Sequence, residues 1–174
     1  ATMRGYDRNN LFAFVAAIIG SDEARRLMEM YRVGTSKHWQ GATVFWQISN
    51  DGEVRGGKIM LYDRLTGHRV QEPFPHINWV HSVLRLPDFK LTQCFFGEHL
   101  LPYIRDKPVA IVESEKTAIL ATHYLPQYLW LATGGKCSCL NREAIKALRD
   151  REVMLVPDLN ATDDWRKKLT LFDD

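Results

Sequence analysis

Glu113, Glu115 and Asp158 are the residues of this 174-residue chain best suited to do chemistry together. Each directly follows, or nearly follows, a short apolar run. Val109–Val112 precedes Glu113-Ser114-Glu115-Lys116, and Val153–Val156 leads through Pro157 to Asp158-Leu159-Asn160-Ala161-Thr162-Asp163-Asp164. Between them, Tyr128–Ala132 releases Thr133-Gly134-Gly135-Lys136. Carboxylate oxygens of this kind suit a hard divalent cation, and magnesium takes only one or two protein carboxylates beside waters and substrate phosphates. The glycine pair admits a close ligand, and Lys136 can meet a phosphate. Each feature also has a plainer explanation. Glu113 and Glu115 fit the first turn of a helix, where carboxylates are favoured. Thr133–Lys136 lacks the phosphate-loop spacing and fits a simple turn. Asp158 fits a helix cap. Their arrival at one edge is what favours the functional reading.

That edge follows from the elements that must position these residues. The three apolar runs read as strands covered on both faces. Ser114 and Asn141 are placed to cap the helices between them, the second helix carrying Ala144, Ile145 and Leu148. Strand–helix–strand–helix–strand with such short connections implies right-handed crossovers and a parallel sheet, whose ligands gather beyond the carboxyl ends of its strands.

Upstream, the period changes. Leu11, Phe14, Val15, Ile18 and Ile19 recur at helical spacing after Asn10, the expected N-cap; Ser21 is the expected cap of a second helix with Ala24, Leu27, Met28 and Tyr31 on one face. Thr43–Ile48, an Asn50-Asp51-Gly52 turn, Val54–Tyr62 and the start of a third strand at Arg69-Val70 predict an antiparallel meander. Gly56-Gly57 within it marks a bulge or a close backbone approach. Residues 71–92 are rich in proline and aromatics and read as irregular.

The motifs resemble a known family. Val112-Glu113-Ser114-Glu115-Lys116-Thr117-Ala118 is similar to the first motif of the Toprim domain, found in DnaG-type bacterial primases, topoisomerases and related nucleases. Val156-Pro157-Asp158-Leu159-Asn160 resembles its D-x-D motif, with Thr133-Gly134-Gly135 as the turn between them. Upstream, Phe45–Ile48 with Gly52–Lys58, and Phe95–Leu101, resemble in order the segments that precede Toprim in those primases, and in related proteins of bacterial mobile elements. The resemblance implies a Toprim-like parallel sheet flanked by helices (106–174), preceded by a small α+β subdomain with an antiparallel meander (1–105). It implies DNA-replication-associated, magnesium-dependent nucleotidyl transfer on a single-stranded DNA template. Glu113 would be a metal ligand or acid/base, Asp158 a metal ligand, and Asn160 and Asp163 further candidates. Arg55, Lys58, Lys116 and Lys136 would be phosphate contacts, although a solvated strand edge explains Arg55 and Lys58 equally well. The implied cofactor is Mg2+ or Mn2+. The implied partners are single-stranded DNA and nucleoside triphosphates, together with a replicative helicase or an upstream zinc ribbon of the same protein.

The departure is Asn160, where the family pattern has a second aspartate. A catalytically degenerate nucleic-acid-binding module and a Toprim nuclease therefore stand as alternatives. Composition is compatible with all three: Lys plus Arg exceeds Asp plus Glu by 23 − 21 = 2, a mild bias that permits nucleic acid without requiring it. Three cysteines without framework or zinc spacing, and the absence of a long apolar run, lead to the expectation of a cytoplasmic protein with reduced thiols and no membrane association. The first methionine at position 3, and a Toprim-like domain ending at Asp174, suggest a piece of something longer.

Overall fold

The computed structural model describes residues 5–135 and 139–172. The fold is mixed α/β, with a four-stranded sheet ordered β1-β2-β3-β4 and a separate three-stranded sheet ordered β6-β5-β7. The chain divides into two compact units: Ala1–Trp46 with Val54–Thr92, and Gln47–Glu53 with Gln93–Asp174.

In the first unit, α1 (Asn10–Ile19) and α2 (Ser21–Met30) pack against each other and are joined at Gly20. The cap of α1 is Asn9 rather than Asn10. Its side-chain oxygen accepts from the Phe12 N–H at 2.9 Å, while its amide donates to Thr35 Oγ1 at 3.1 Å. Asn10 is the first helical residue and donates to the Tyr62 carbonyl at 2.9 Å. Likewise Gly20, at φ 86°, caps α2, and Ser21 begins it. That positive φ is open to glycine and strained for most other residues.

The sheet of this unit comprises β1 (Gly34–Ser36), β2 (Ala42–Ile48), β3 (Val54–Met60) and β4 (Ile77–Trp79). β1 pairs antiparallel with β2, and β4 antiparallel with β3. The meander is therefore as the sequence predicts over β2 and β3. The strand expected at Arg69-Val70 is instead a single bridge, Tyr62 to Arg69, and the fourth strand falls at 77–79 inside the stretch read as irregular. Of the glycine pair, Gly57 is a close approach: a Cβ there would stand 2.8 Å from Trp46 and Val80 side-chain carbons. Leu11, Val15, Leu27, Met28, Tyr31, Phe45 and Tyr62 are buried core of this unit.

The second unit is built on β5 (Val109–Val112), α4 (Glu115–Tyr124), β6 (Leu129–Ala132), α5 (Arg142–Ile145) and β7 (Val153–Leu155). β5 is central and parallel to both neighbours, with Ile111 opposite Leu131 on one side and Leu155 on the other. Every residue of β5 and β6 is buried, as continuous apolar runs in a parallel sheet require. Asn141 caps α5, accepting from the Glu143 and Ala144 N–H groups at 3.0 Å each. That helix is one turn long and passes into a 3-10 turn over Lys146–Leu148. After β7 the chain makes a 3-10 turn at Leu159–Ala161 and the short helix α6 (Thr162–Arg166). Among the described residues, no helix is long and apolar enough to cross a membrane.

Candidate functional site at the carboxyl edge of the parallel sheet

The ladder fixes what stands beside what. Beyond β5, the Thr133 N–H donates to the Val112 carbonyl at 2.9 Å and the Gly134 N–H to the Glu113 carbonyl at 3.0 Å. On the other flank the Val156 N–H donates to the Ile111 carbonyl at 2.8 Å. Glu113 thus leaves the middle strand with the Thr133-Gly134 turn on one side and the Val156–Asp158 exit on the other.

Strand order places a reversal of winding at this edge. β5 connects through α4 to β6 on one side, while β6 connects back across β5 to β7 on the other. Right-handed crossovers would put the connecting helices on opposite faces, and in sheets of that kind ligands bind beyond the strand ends where the direction of winding reverses. That reversal falls between β5 and β7, the two strands that release Glu113 and Asp158.

Glu113 is half-buried, with Oε1 closed off from solvent. Ser114 occupies the N-cap of α4 in extended conformation, without a side-chain capping bond. Glu115, in the first turn, is only 3 % exposed, so this carboxylate belongs to the interior of the unit rather than to its open edge. Lys116 is half-buried. Asp158 is exposed and stands at the start of the 3-10 turn, its carbonyl accepting from the Ala161 N–H at 2.8 Å. Asn160 is exposed in that turn. Asp163 is exposed in the first turn of α6 and pairs with Arg166 at 2.9 Å. Lys136 lies outside the described residues, as does Cys137.

The Thr133 turn is held from within. Thr133 is fully buried, and its hydroxyl donates to the Gly135 carbonyl at 2.5 Å. Gly134 takes φ 76°. Cys139, expected from sequence to be a buried or idle reduced thiol, is free and buried and directs its Sγ to the Thr133 carbonyl at 3.4 Å. The segment 95–98 abuts the outer side of β6: Phe96 and Ala132 exchange backbone bonds of 2.9 and 3.1 Å. Glu98, 4 % exposed, then accepts from the Phe95 N–H at 3.1 Å and the Asn50 N–H at 3.2 Å, tying the hairpin tip 47–53 to this segment. Sequence reasoning gave Glu98 no role; its position one residue after Gly97, a left-handed glycine, is the signal that marks such a turn.

Arg55 and Lys58 lie on β3, in the first unit. Arg55 is half-buried, and Lys58 is 8 % exposed in the sheet interior rather than on a solvated edge. A cleft of about 690 Å³ flanks β7, with Ile145, Leu148 and Phe172 among its apolar lining, and contains none of the predicted site residues.

The carboxylates that follow the carboxyl ends of β5 and β7 are Glu113 and Asp158, with the Asn160 amide two residues after Asp158. Among the described residues, no group of three or more His, Cys, Asp or Glu side chains is gathered to hold a metal. Two carboxylate donors fit magnesium, which keeps several waters and shares substrate phosphates, better than a cation that needs an all-protein cage.

These features define a mixed α/β protein whose central parallel strand ends at an acidic residue, Glu113, beside the point where the strand order reverses. Residues 9–159 match the family described as a domain of unknown function, DUF6371, and the chain belongs to that family. No curated protein matches the chain.

Proposed function

We propose that this protein is a Toprim-like, primase-related module that binds nucleoside triphosphate and single-stranded DNA, with nucleotidyl transfer as its reaction. The observation that carries this reading is that Glu113 and Asp158 follow the carboxyl ends of adjacent parallel strands, β5 and β7. The order of the upstream motifs supports it. Glu113 and Asp158 would hold magnesium or manganese. A bound divalent ion would supply charge neutralisation of triphosphate oxygens and alignment of the reacting groups. The chain's own part would be to orient: Gly134 and Gly135 carry no side chain to keep a phosphate from the turn, and Lys116 offers a positive charge in the first turn of α4. Of the two β3 cations, half-buried Arg55 is the more accessible and Lys58 is buried. A replicative helicase and a zinc ribbon preceding this segment are the partners this reading implies.

A second reading, a nucleic-acid-binding module without catalysis, is favoured by one residue. Asn160 replaces a charge with an amide where a second aspartate completes the family motif, and among the described residues no third carboxylate is gathered with Glu113 and Asp158. Calorimetric titration of magnesium and manganese, with and without nucleotide, into wild type and Glu113→Gln tests the metal edge. Wild type is expected to bind with nucleotide present and Glu113→Gln to lose roughly ten-fold or more in affinity. Absence of binding to wild type at millimolar metal overturns the catalytic reading. Primer synthesis on a single-stranded template, against cleavage of labelled DNA, then separates transferase from nuclease.

A further inference from the structure

A second feature lies in the first unit, away from any carboxylate motif. His38, Trp39, His76 and Phe74 form a continuous row of rings. Centroids are 4.3 Å apart for His38–Trp39, 5.0 Å for Trp39–His76 and 4.6 Å for His76–Phe74. The last pair is stacked, with 16° between planes. The outer members are open to water: His38 is exposed and Phe74 is 52 % exposed, while Trp39 and His76 between them are half-buried.

The row is held by backbone and short polar contacts, not by a surrounding core. The His38 N–H donates to Ser36 Oγ at 3.1 Å, and Asn78 Nδ2 meets His38 Nε2 at 3.2 Å. The Trp39 carbonyl accepts from the Ala42 N–H at 3.0 Å. His76 is clamped on both sides: its N–H donates to the Val70 carbonyl, and its carbonyl accepts from the Leu61 N–H, each at 3.1 Å. Phe74 stands between Pro73 and Pro75, and a residue before proline is confined to extended backbone. A half-exposed phenyl ring presented by stiff chain loses little entropy when something stacks on it.

A contiguous row of rings with its two ends open to water offers faces on which a partner can stack. Three classes of partner fit rings: an apolar protein face, a proline-rich segment and an unpaired nucleobase. The fringe of this row decides between them. It is polar and cationic: exposed Lys37 adjoins His38, exposed Arg69 adjoins the Val70 that binds His76, and exposed Gln40 and Gln71 lie on the same two segments, with Glu72 the one acidic residue beside them. Imidazole and indole rings edged by amides and ammonium or guanidinium groups match a base with its phosphate, since every base offers a π-face and every linkage a negative charge.

We propose that the His38–Trp39–His76–Phe74 row is a stacking platform for unpaired bases of single-stranded nucleic acid. It deepens the primase-like reading by naming where a template strand is gripped. It rests on that reading only for the identity of the strand, because the platform uses none of the residues of the acidic edge.

The test is fluorescence anisotropy with the full 174-residue chain and a labelled oligothymidylate of about a dozen nucleotides, a length within the usual single-strand site range. Controls are an abasic strand of equal length and charge, and a proline-rich peptide. Phe74→Ala and His38→Ala are the informative variants because both side chains reach solvent; Trp39→Ala is added where circular dichroism shows it folded. Wild type is expected to bind oligothymidylate and to bind the abasic strand at least five-fold more weakly, and Phe74→Ala to lose about five-fold or more. Equal binding of the abasic strand, or unchanged affinity in both Phe74→Ala and His38→Ala, overturns the proposal. So does tighter binding of the proline-rich peptide that displaces the oligonucleotide. Glu113→Gln separates the two readings: retained oligonucleotide binding with lost metal binding supports the platform as an independent site. Failure of the metal titration in wild type, with base-dependent strand binding intact, sinks the catalytic reading and leaves the platform standing.

Discussion

At the scale of single residues, the decisive position is Asn160. Substitution by aspartate restores the missing charge beside Asp158. Two unit charges about 4 Å apart interact by about 4 kcal/mol at an effective dielectric near 20. Asn160 is exposed, so most of that is screened. The expected result is a tightening of manganese binding by roughly five- to ten-fold in Asn160→Asp, read by calorimetry in the presence of nucleotide. No change in affinity would mean that the side chain at 160 does not face the cation, and would remove the D-x-D comparison as an argument for the site. Glu113 was legible from sequence because a carboxylate directly after a buried apolar strand has only a few places to go. Glu115 shows the limit of the same reasoning. Two residues further on, the helix has begun and turned it into the interior, where it is 3 % exposed. Cap chemistry shows another limit: Asn9 and Asn10 are equivalent as letters, and only the buried contacts to Thr35 and Thr43 select Asn9 as the cap.

At the scale of elements, two packing arrangements make separate predictions. Gly57 lets the Trp46 ring lie against β3, so Gly57→Ala forces a methyl into atoms 2.8 Å away. Overpacking of this kind costs about 1–3 kcal/mol, and urea denaturation is expected to show a lowered midpoint at unchanged slope. A midpoint equal to wild type would mean that the indole has room to withdraw. Arg151, just before β7, donates to the carbonyls of Leu101, Ile104 and Lys107 at 3.4, 2.9 and 2.7 Å. Arg151→Met keeps the stem and leaves those acceptors without their donor, a loss of about 1–3 kcal/mol. Hydrogen exchange is expected to speed up in 101–107 and in β7. Protection unchanged in both segments would show that water replaces the guanidinium at no cost. β5 and β6 were legible from sequence as continuous apolar runs, β2 from its β-rich composition, β3 from the Asn50-Asp51-Gly52 turn before it, and β7 as a short apolar run after a helix. β1 and β4 have three residues each and were missed. β4 in particular follows Pro73 and Pro75, which speak for irregular chain; its pairing is dictated by β3, which supplies Met60, Ile59 and Lys58 opposite Ile77, Asn78 and Trp79. Tertiary partners, not local propensity, make such strands.

At the scale of the whole molecule, charge decides how a nucleic acid would be held. The chain carries a net charge of only +2. Several of its cations stand in ion pairs: Arg25 with Asp7, Arg26 with Glu23, Lys146 with Glu143, Arg166 with Asp163 and Lys167 with Asp164. The basic run at 166–168, which from sequence alone fits a nucleic-acid backbone contact or a solvated face equally, thus has two of its three charges already matched within α6 and the residue after it. A protein so balanced has little basic surface from which to displace counterions. For single strands each neutralised phosphate contributes roughly −0.7 to the slope of log affinity against log salt. If strand binding is led by stacking on the ring row, with Lys37 and Arg69 as the nearby cations, the slope for oligothymidylate is expected between about −1 and −2. Phe74→Ala should lower affinity at every salt concentration by the same factor and leave the slope unchanged, whereas Arg69→Gln should flatten the slope by about 0.7. Anisotropy titrations across a salt series measure both. A slope steeper than about −4, or a slope that changes with Phe74→Ala, would place the binding energy in a basic groove, and the ring row would then be an aromatic cluster of the first unit's surface with no part in gripping a strand.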